Sequence, residues 1–264
     1  MGKGRIMSAA IDNMKPSRYT PTTEAEARMQ LATCYRACAM EGWTDLSSTH
    51  ISCRVPGTDD QYLINELGVH FHEMKPDSLV KVYLDGTPVG GDSRNPYLER
   101  FIHGAAYEAD PDAMAVVHSH AEEVLPYTIT SQPLQPVIHS AGLMGPEPPV
   151  WDIAKNFGDT TLLVVNMDQG RDLASSLAGN RIALMRGHGF AATGRNLSEV
   201  VRVSVMLPRN ARILTTALQF GGVKPLSPGE VALRVDMDPN HKAFYRAWEY
   251  WATRAGCGDM LGDG

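Results

Sequence analysis

An α/β fold is predicted for this chain by three features of its sequence. β-forming runs and apolar helical segments alternate along the 264 residues. Two of the helical segments begin with residues typical of a capping box, at 23–26 and 196–199. No glycine-rich loop joins a strand to a helix, so the pattern does not indicate a dinucleotide-binding or phosphate-binding member of this class.

The N-terminal half is predicted to contain an arm, two helices and three strands. Residues 1–21 have no clear hydrophobic period, which predicts a mobile or oligomer-bound arm. Thr23 opens a helix that Gly42 ends. Composition and turn signals then predict strands at 49–55, 61–65 and 78–84, followed by a helix over 96–109.

The C-terminal half continues the alternation. Its apolar and β-branched runs predict strands at 115–120, 135–138, 160–165 and 181–185, with short helices over 122–127 and 170–178. A long helix over 196–218 is expected to kink or break near Met206, because Pro208 removes a backbone donor. Prolines predict an extended crossing over 223–238. The last helix, 240–254, carries an aromatic stripe that favours core or interface packing, or closure of a neighbour's active site.

Charge and composition narrow the class of partner. The 24 Lys and Arg residues are outnumbered by 30 Asp and Glu, and no basic cluster appears, so neither nucleic acid nor an anionic membrane is expected. No apolar run approaches the length of a membrane span. The four cysteines form no CxxC pair and follow no secretory signal, which predicts a cytoplasmic location. Small molecules are therefore the expected partners.

Three histidines and one carboxylate form a candidate metal site. His118 and His120 end the apolar strand at 115–120, and strand alternation places both imidazoles on one face. His188 lies between two glycines after another strand, and Glu99 lies near the start of a helix. Three neutral imidazoles with one acid or base are typical of a divalent metal site that performs chemistry. His103, four residues after Glu99, either steadies that carboxylate or packs against the sheet.

The order Glu99, His118-x-His120 and Gly187-His188-Gly189 resembles the class II aldolase and adducin-like superfamily, and the similarity extends from about residue 22 to 222. Within it, the stretches 97–104, 149–154 and 183–190 are most similar to metal-dependent decarboxylases of hydroxylated aromatic or pyridine dicarboxylates, of the 3-hydroxy-2-methylpyridine-4,5-dicarboxylate decarboxylase type. The chain then divides into an N-terminal arm (1–21), a class II aldolase-like domain (22–222) and a C-terminal extension with an aromatic helix (223–264).

The resemblance implies a specific architecture and site. The expected fold has three layers, α/β/α, around a largely antiparallel central sheet, usually in a homotetramer with active sites between subunits. By position, His118, His120 and His188 match the family's metal ligands. Glu99 matches the carboxylate that acts as acid or base and can also ligate the metal. Mn²⁺ or Zn²⁺ is the expected ion, and Fe²⁺ or Co²⁺ also suits this set of ligands.

Departures from the sugar-phosphate aldolases bear on the substrate. Where those enzymes hold phosphate with small hydroxyl side chains, this sequence has Tyr97 and Leu98, and the acidic Glu66 occupies another anion-binding position. A phosphate there would lack hydrogen-bond donors and would meet repulsion. A non-phosphorylated substrate is therefore predicted.

Five side chains are candidate contacts for an aromatic acid. Tyr97 would form an apolar wall and His50 would donate a hydrogen bond, whereas Arg54 or Arg186 would clamp a carboxylate. Each arginine could equally pair with a surface acid. His139 either reaches the pocket or packs inside the protein.

The function predicted from these residues is decarboxylation of a hydroxylated aromatic or pyridine (di)carboxylate, in aromatic compound catabolism. The alternative is a metal-dependent aldolase that cleaves a non-phosphorylated hydroxy-acid. A third class, adducin-like interaction modules that have lost metal ligands, is disfavoured because all three histidines and Glu99 are present. Oxygenase members of the superfamily would consume O₂.

Overall fold

A seven-stranded sheet forms the centre of the computed structural model, which describes residues 20–43, 48–239 and 241–258. The strands are β1 (His50–Arg54), β2 (Gln61–Asn65), β3 (Leu79–Tyr83), β4 (Ala115–Ser119), β5 (Val150–Trp151), β6 (Ile182–Met185) and β7 (Gly189–Gly194). Their order is β3-β2-β1-β4-β7-β6-β5, and every neighbouring pair is antiparallel except β5 and β6. The predicted arm lies almost entirely outside the described residues.

Helices cover both faces of this sheet. They are α1 (Glu24–Met40), α2 (Arg100–Ala109), α3 (Leu125–Ile129), α4 (Ala154–Phe157), α5 (Met167–Leu177), α6 (Leu197–Gln219), α7 (Pro228–Val235) and α8 (Lys242–Arg254). One core joins the sheet to α1, α6 and α8, and a second core joins its other face to α2 and α5. Strand alternation separates the two cores: in β4, Val117 faces the first and Val116 the second. The three-layer α/β/α prediction is confirmed.

Capping side chains fix the starts of the long helices. Thr23 and Glu26 form the predicted capping box of α1. At α6 the Asn196 side chain accepts from the Glu199 N–H, whereas the Glu199 carboxylate accepts from the Arg195 N–H. α6 then continues as one helix through Pro208, so of the kink or break expected near Met206 the break does not occur. Within the described residues, no helix combines the length and the apolar character needed to cross a membrane.

Three predicted elements are wrong. Residues 160–165 do not form a strand, because their backbone groups bond side chains of the candidate site instead of a neighbouring strand. Residues 135–138 are not a strand either, since the Asn210 side chain bonds the Val137 N–H and the Gln135 carbonyl. The extended crossing over 223–238 contains α7, which starts with a capping box at Ser227 and with a proline in its first turn, where proline is tolerated.

The aromatic stripe of the last helix belongs to this chain's own core. Phe244, Trp248 and Trp251 on α8 are buried in the core that contains α1 and α6. The Trp251 indole N–H donates to the carboxylate of Glu41. Trp248 and Trp251 are therefore not free to close a neighbour's active site.

Candidate metal centre

The four predicted ligand residues come together at one end of β4. One ligand atom from each of Glu99, His118, His120 and His188 lies within 4.8 Å of the others. The Nε2 atom of His120 is 2.9 Å from Nε2 of His118 and 3.0 Å from Nε2 of His188. The Glu99 Oε2 atom lies 3.6 Å from Nε2 of His118 and 3.5 Å from Nε2 of His188. The arrangement forms a possible metal-binding group.

Local backbone geometry delivers the three imidazoles. His118 is fully buried in β4, and His120 follows two residues later just beyond the strand end. His188 is held in the turn between β6 and β7, where Gly187 has a φ of +62°. A Cβ on Gly189 would lie 2.1 Å from the Ser119 carbonyl oxygen, so this close approach of β7 to β4 requires glycine. The sequence Gly-His-Gly is thus a backbone requirement of the site.

Hydrogen bonds fix the tautomers of two of these histidines. Nδ1 of His118 lies 3.0 Å from the Phe190 carbonyl oxygen, and Nδ1 of His188 lies 2.9 Å from the Leu162 carbonyl oxygen. A carbonyl only accepts, so both Nδ1 atoms carry the proton and both Nε2 atoms present lone pairs to the centre of the cluster. Nε2 of His120 contacts both of these Nε2 atoms, and it can donate a hydrogen bond to only one of them. A cation among the three nitrogens removes the remaining lone-pair repulsion, so the donor set fits a divalent metal ion.

Burial keeps the His118 ring in the form that binds metal. Desolvation lowers the pKa of His118 well below its ordinary value, and the neighbouring imidazoles, His188 first among them, lower it further. The ring is therefore neutral at physiological pH. Metal ions bind neutral imidazole, because protonation occupies the lone pair.

Glu99 is fixed on both sides of its carboxylate. Its side chain is buried, and Oε1 accepts the Val164 N–H at 2.9 Å while Oε2 faces the histidines. The residue occupies the cap position before α2 instead of lying inside the helix, as the prediction over 96–109 had placed it. Its backbone therefore does not share a helical face with His103.

A cavity of about 430 Å³ opens beside Glu99 and His120. Its wall is mainly apolar, and the remaining lining residues are Ser48, Leu67, Gly68, His70, Tyr97, Leu98 and Leu163. Tyr97 was expected here from the sequence. Leu67, His70 and Leu163 were not, because they come from loops whose position depends on the tertiary fold. The cavity places an apolar surface next to a carboxylate and a metal-ligand candidate.

A second cavity, of about 470 Å³, meets His120 from the side of α6. Its lining is more charged and includes Glu41, Glu122, Glu123, Arg209 and Arg212. Glu99 does not line it. The apolar cavity, which Glu99 does line, is therefore the better candidate for the reacting part of a substrate.

Of the two predicted substrate contacts on β1, His50 lies at the candidate site and Arg54 does not. His50 is fully buried beside the cluster, with its ring centroid 4.9 Å from those of both Tyr97 and His118. At the other end of β1, Arg54 donates to the carbonyls of Ala113, Asp59 and Tyr107, so the fold does not bring it to the site.

Arg186 and His139 are not brought to the cavity wall. Arg186 forms an ion pair with Asp152 at 2.7 Å, which agrees with the surface-pairing alternative. His139 begins a short 3₁₀ turn that packs against α6 and α7, and it does not line the cavity beside Glu99.

His103 does not steady Glu99. Its Nε2 atom lies 2.5 Å from His50 Nδ1, and its Nδ1 atom lies 2.6 Å from Ser52 Oγ, so both ring nitrogens are occupied. Burial lowers the pKa of His103 to about 3, and the ring is neutral. The side chain belongs to a separate buried network next to the metal-site candidate.

Fold and site together define a three-layer α/β/α protein with three inward-facing histidines and one carboxylate at the end of a central strand. Residues 29–215 match the family model described as the Class II Aldolase and Adducin N-terminal domain. The chain therefore belongs to the class II aldolase and adducin family, as the sequence motifs suggested.

Individual relatives refine the comparison. The decarboxylase tropJ of Talaromyces stipitatus is 30% identical over 232 residues, which cover 80% of this chain and 87% of that protein. The 4-hydroxy-3-prenylphenylpyruvate oxygenase/4-hydroxy-3-prenylbenzoate synthase of Streptomyces roseochromogenus subsp. oscitans is 29% identical and covers 86% of this chain and 83% of its own length. The crystal structure of an aldolase II superfamily protein from Pseudomonas syringae superposes with a TM-score of 0.75 at 25% identity, covering 95% of this chain and 98% of that one. Relatives of these kinds support a lyase.

Proposed function

We propose that this protein is a divalent-metal-dependent decarboxylase of a non-phosphorylated, hydroxylated aromatic or pyridine (di)carboxylate. One observation carries the proposal: a buried carboxylate, Glu99, lies 3.5 and 3.6 Å from two inward-facing imidazoles and lines an apolar cavity of about 430 Å³. The cavity volume falls in the range of small-molecule sites. The relative tropJ, which is named a decarboxylase, supports the same reaction class.

The metal would be held by His118, His120 and His188. Because all three ligands are neutral, a divalent ion there, with Mn²⁺ or Zn²⁺ expected, would stabilise the negative charge that collects on a substrate oxygen as the C–C bond breaks. The two Nδ1 hydrogen bonds, from His118 to Phe190 and from His188 to Leu162, hold the ligand rings in position before any metal binds.

Glu99 is the proposed proton donor. Decarboxylation leaves an electron pair on the ring carbon that loses CO₂, and that carbon must receive a proton. The Val164 N–H holds Oε1, which leaves Oε2 next to the histidines and available to carry the proton. The carboxylate is returned to its protonated form by solvent after product leaves.

The walls of the cavity account for substrate choice. Tyr97, Leu98, Leu67 and Leu163 offer an apolar surface for a flat ring. The part of the lining that the structure describes contains no lysine or arginine, so a phosphate placed there would lack a cationic partner. This composition supports the proposal of a non-phosphorylated substrate.

Assembly and cellular role are also part of the proposal. We expect a homotetramer in the cytoplasm that acts in aromatic compound catabolism, as implied by the family resemblance and the sequence composition. Light scattering coupled to size-exclusion chromatography measures the number of subunits directly, and a monomer would contradict the expected homotetramer.

The test of the reaction is product analysis. Protein loaded separately with Mn²⁺, Zn²⁺ and Fe²⁺ is incubated with a panel of hydroxyphthalates, hydroxylated pyridine dicarboxylates and non-phosphorylated hydroxy-acids, and CO₂, aldehyde and O₂ are measured. Release of CO₂ without O₂ consumption supports the proposal. An aldehyde from a hydroxy-acid would support the aldolase alternative instead, and O₂ uptake with Fe²⁺ would indicate an oxygenase.

A further inference from the structure

A fourth histidine lies against the candidate metal site. His50 pairs with His118 across β1 and β4, and its ring contacts the rings of both His118 and Tyr97. Its Nδ1 atom contacts His103, but its Nε2 atom is buried and has no hydrogen-bond partner among the residues the structure describes. A buried ring nitrogen without a partner is costly, so its presence here calls for a functional explanation.

His50 is the end of a continuous hydrogen-bond chain. From His50 Nδ1 the chain passes over 2.5 Å to His103 Nε2, from His103 Nδ1 over 2.6 Å to Ser52 Oγ, and from there over 2.8 Å to the Tyr107 hydroxyl. All four side chains are at most 1% exposed. The ring of Tyr62 stacks on His103, which limits its rotation.

Hydrogen-bond chemistry fixes the direction of this chain. Among the described residues, the Tyr107 hydroxyl has Ser52 Oγ as its hydrogen-bond partner. If Ser52 donated to Tyr107, the phenolic O–H would be a buried donor without an acceptor, which is unfavourable. Tyr107 therefore donates to Ser52, and Ser52 donates to His103 Nδ1.

The same logic determines the proton position on His50. Because His103 accepts at Nδ1, its proton lies on Nε2, and it donates to His50 Nδ1. Both rings are fully buried, which disfavours a charged form. His50 consequently carries its single proton on Nε2, the atom without a partner.

We propose that the hydrogen-bond chain from Tyr107 through Ser52 and His103 holds His50 in the Nε2–H tautomer, so that this fourth histidine, although it lies against His118, does not ligate the metal. Its Nδ1 lone pair is taken by His103, and its Nε2 has none to offer. The tautomer depends only on the hydrogen-bond chain, whereas the statement about the metal rests on the proposed function.

The tautomer is measured first, without any substrate. Long-range ¹⁵N–¹H correlation spectra of full-length, Zn²⁺-loaded protein report which nitrogen of each imidazole is protonated. We expect His50 to show a protonated Nε2 and an unprotonated Nδ1. In Tyr107→Phe, which removes the terminal donor, we expect a mixture of tautomers. Tyr62→Phe is the matched control, because its buried hydroxyl donates to the Arg100 carbonyl and lies outside the chain. A protonated Nδ1 on His50 in the unmodified protein would overturn the inference.

Metal affinity tests whether His50 is a ligand. In competition with a chelator for Zn²⁺, His50→Gln is expected to stay within about twofold of the unmodified protein, whereas His120→Gln should lose roughly 100-fold or more. Equal losses in the two variants would show that His50 is a ligand and would contradict the proposal.

If the tautomer is as proposed but the unmodified protein binds no Zn²⁺, the proposed metal site has failed and the tautomer assignment has not.

Discussion

The backbone N–H of Val164 donates to Oε1 of Glu99 at 2.9 Å. This bond turns the carboxylate so that Oε2 faces the imidazoles of His118 and His188. The bond also explains why a strongly β-forming segment does not form a strand: its backbone is used to position the acid. Local strand propensity is overridden by a tertiary hydrogen bond at the place where the chemistry is proposed.

Replacement of the proposed proton donor should separate metal binding from turnover. Glu99→Gln preserves the hydrogen bond from Val164 and leaves the three histidines in place, so metal content should not change, while turnover should fall by roughly two orders of magnitude or more. Elemental analysis and CO₂ release measure the two effects. The control is Glu108→Gln, because Glu108 is an exposed carboxylate on α2 that pairs with Arg171. Activity close to that of the control would remove Glu99 from the mechanism.

Gly189 is expected to tolerate no side chain. In Gly189→Ala the new Cβ would lie 2.1 Å from the Ser119 carbonyl oxygen, and the resulting shift of β7 away from β4 would displace His188 from His120. We expect a loss of about 1–3 kcal/mol in the free energy of unfolding, together with weaker Zn²⁺ binding. Urea unfolding and chelator competition measure these effects. Gly229→Ala, in an open position on α7, should neither lower the free energy of unfolding nor weaken Zn²⁺ binding. A Gly189→Ala protein that matched this control would show that the close approach does not matter.

Stability should depend on pH through the buried His103. Its folded-state pKa is lowered to about 3 from an ordinary value of 6.5, so below pH 6.5 the unfolded chain takes up a proton that the folded protein does not. The free energy of unfolding should therefore be unaffected by this group above pH 6.5 and should fall as pH decreases toward 3, by up to about 1.4 kcal/mol per pH unit.

Urea unfolding of the metal-free protein between about pH 7 and 5 measures this slope. The slope should be smaller in His103→Gln. The control His72→Gln, whose side chain is 71% exposed, should keep the original slope. A His103 variant with an unchanged slope would contradict the assignment.

A negative charge in the apolar wall should weaken binding of an acidic substrate. Leu163→Asp places a carboxylate beside Glu99 in the cavity, and repulsion should raise the KM for an aromatic dicarboxylate roughly tenfold while metal content stays constant. Leu233→Asp introduces the same charge at a position on α7 that is 78% exposed and should have no effect. If the KM changes equally in both variants, or in neither, the cavity is not the substrate site.

Features set by short-range rules could be predicted from the sequence. Strand alternation was enough to place His118 and His120 on one face, and the glycines around His188 correctly indicated a tight turn. The N-cap residues at Thr23 and Asn196 likewise marked helix starts.

Features that depend on tertiary register could not be predicted in this way. The contact between His50 and His103 arises because β1 pairs with β4 in one register and α2 packs over both, which no local pattern specifies. The cavity wall from Leu67 and Leu163 is likewise made by loops that meet only in the folded chain. Ser227 is different: it is a local N-cap signal for α7, but the prolines around it favoured an extended segment over a helix.

X-ray absorption spectroscopy at the metal edge, on protein purified without added metal and on its His120→Gln variant, tests whether His118, His120 and His188 hold a metal ion. We expect close to one divalent metal per chain, with imidazole nitrogens at about 2.0–2.2 Å, and loss of that signal in the variant. Protein without bound metal, or a metal signal that is unchanged in His120→Gln, would contradict it.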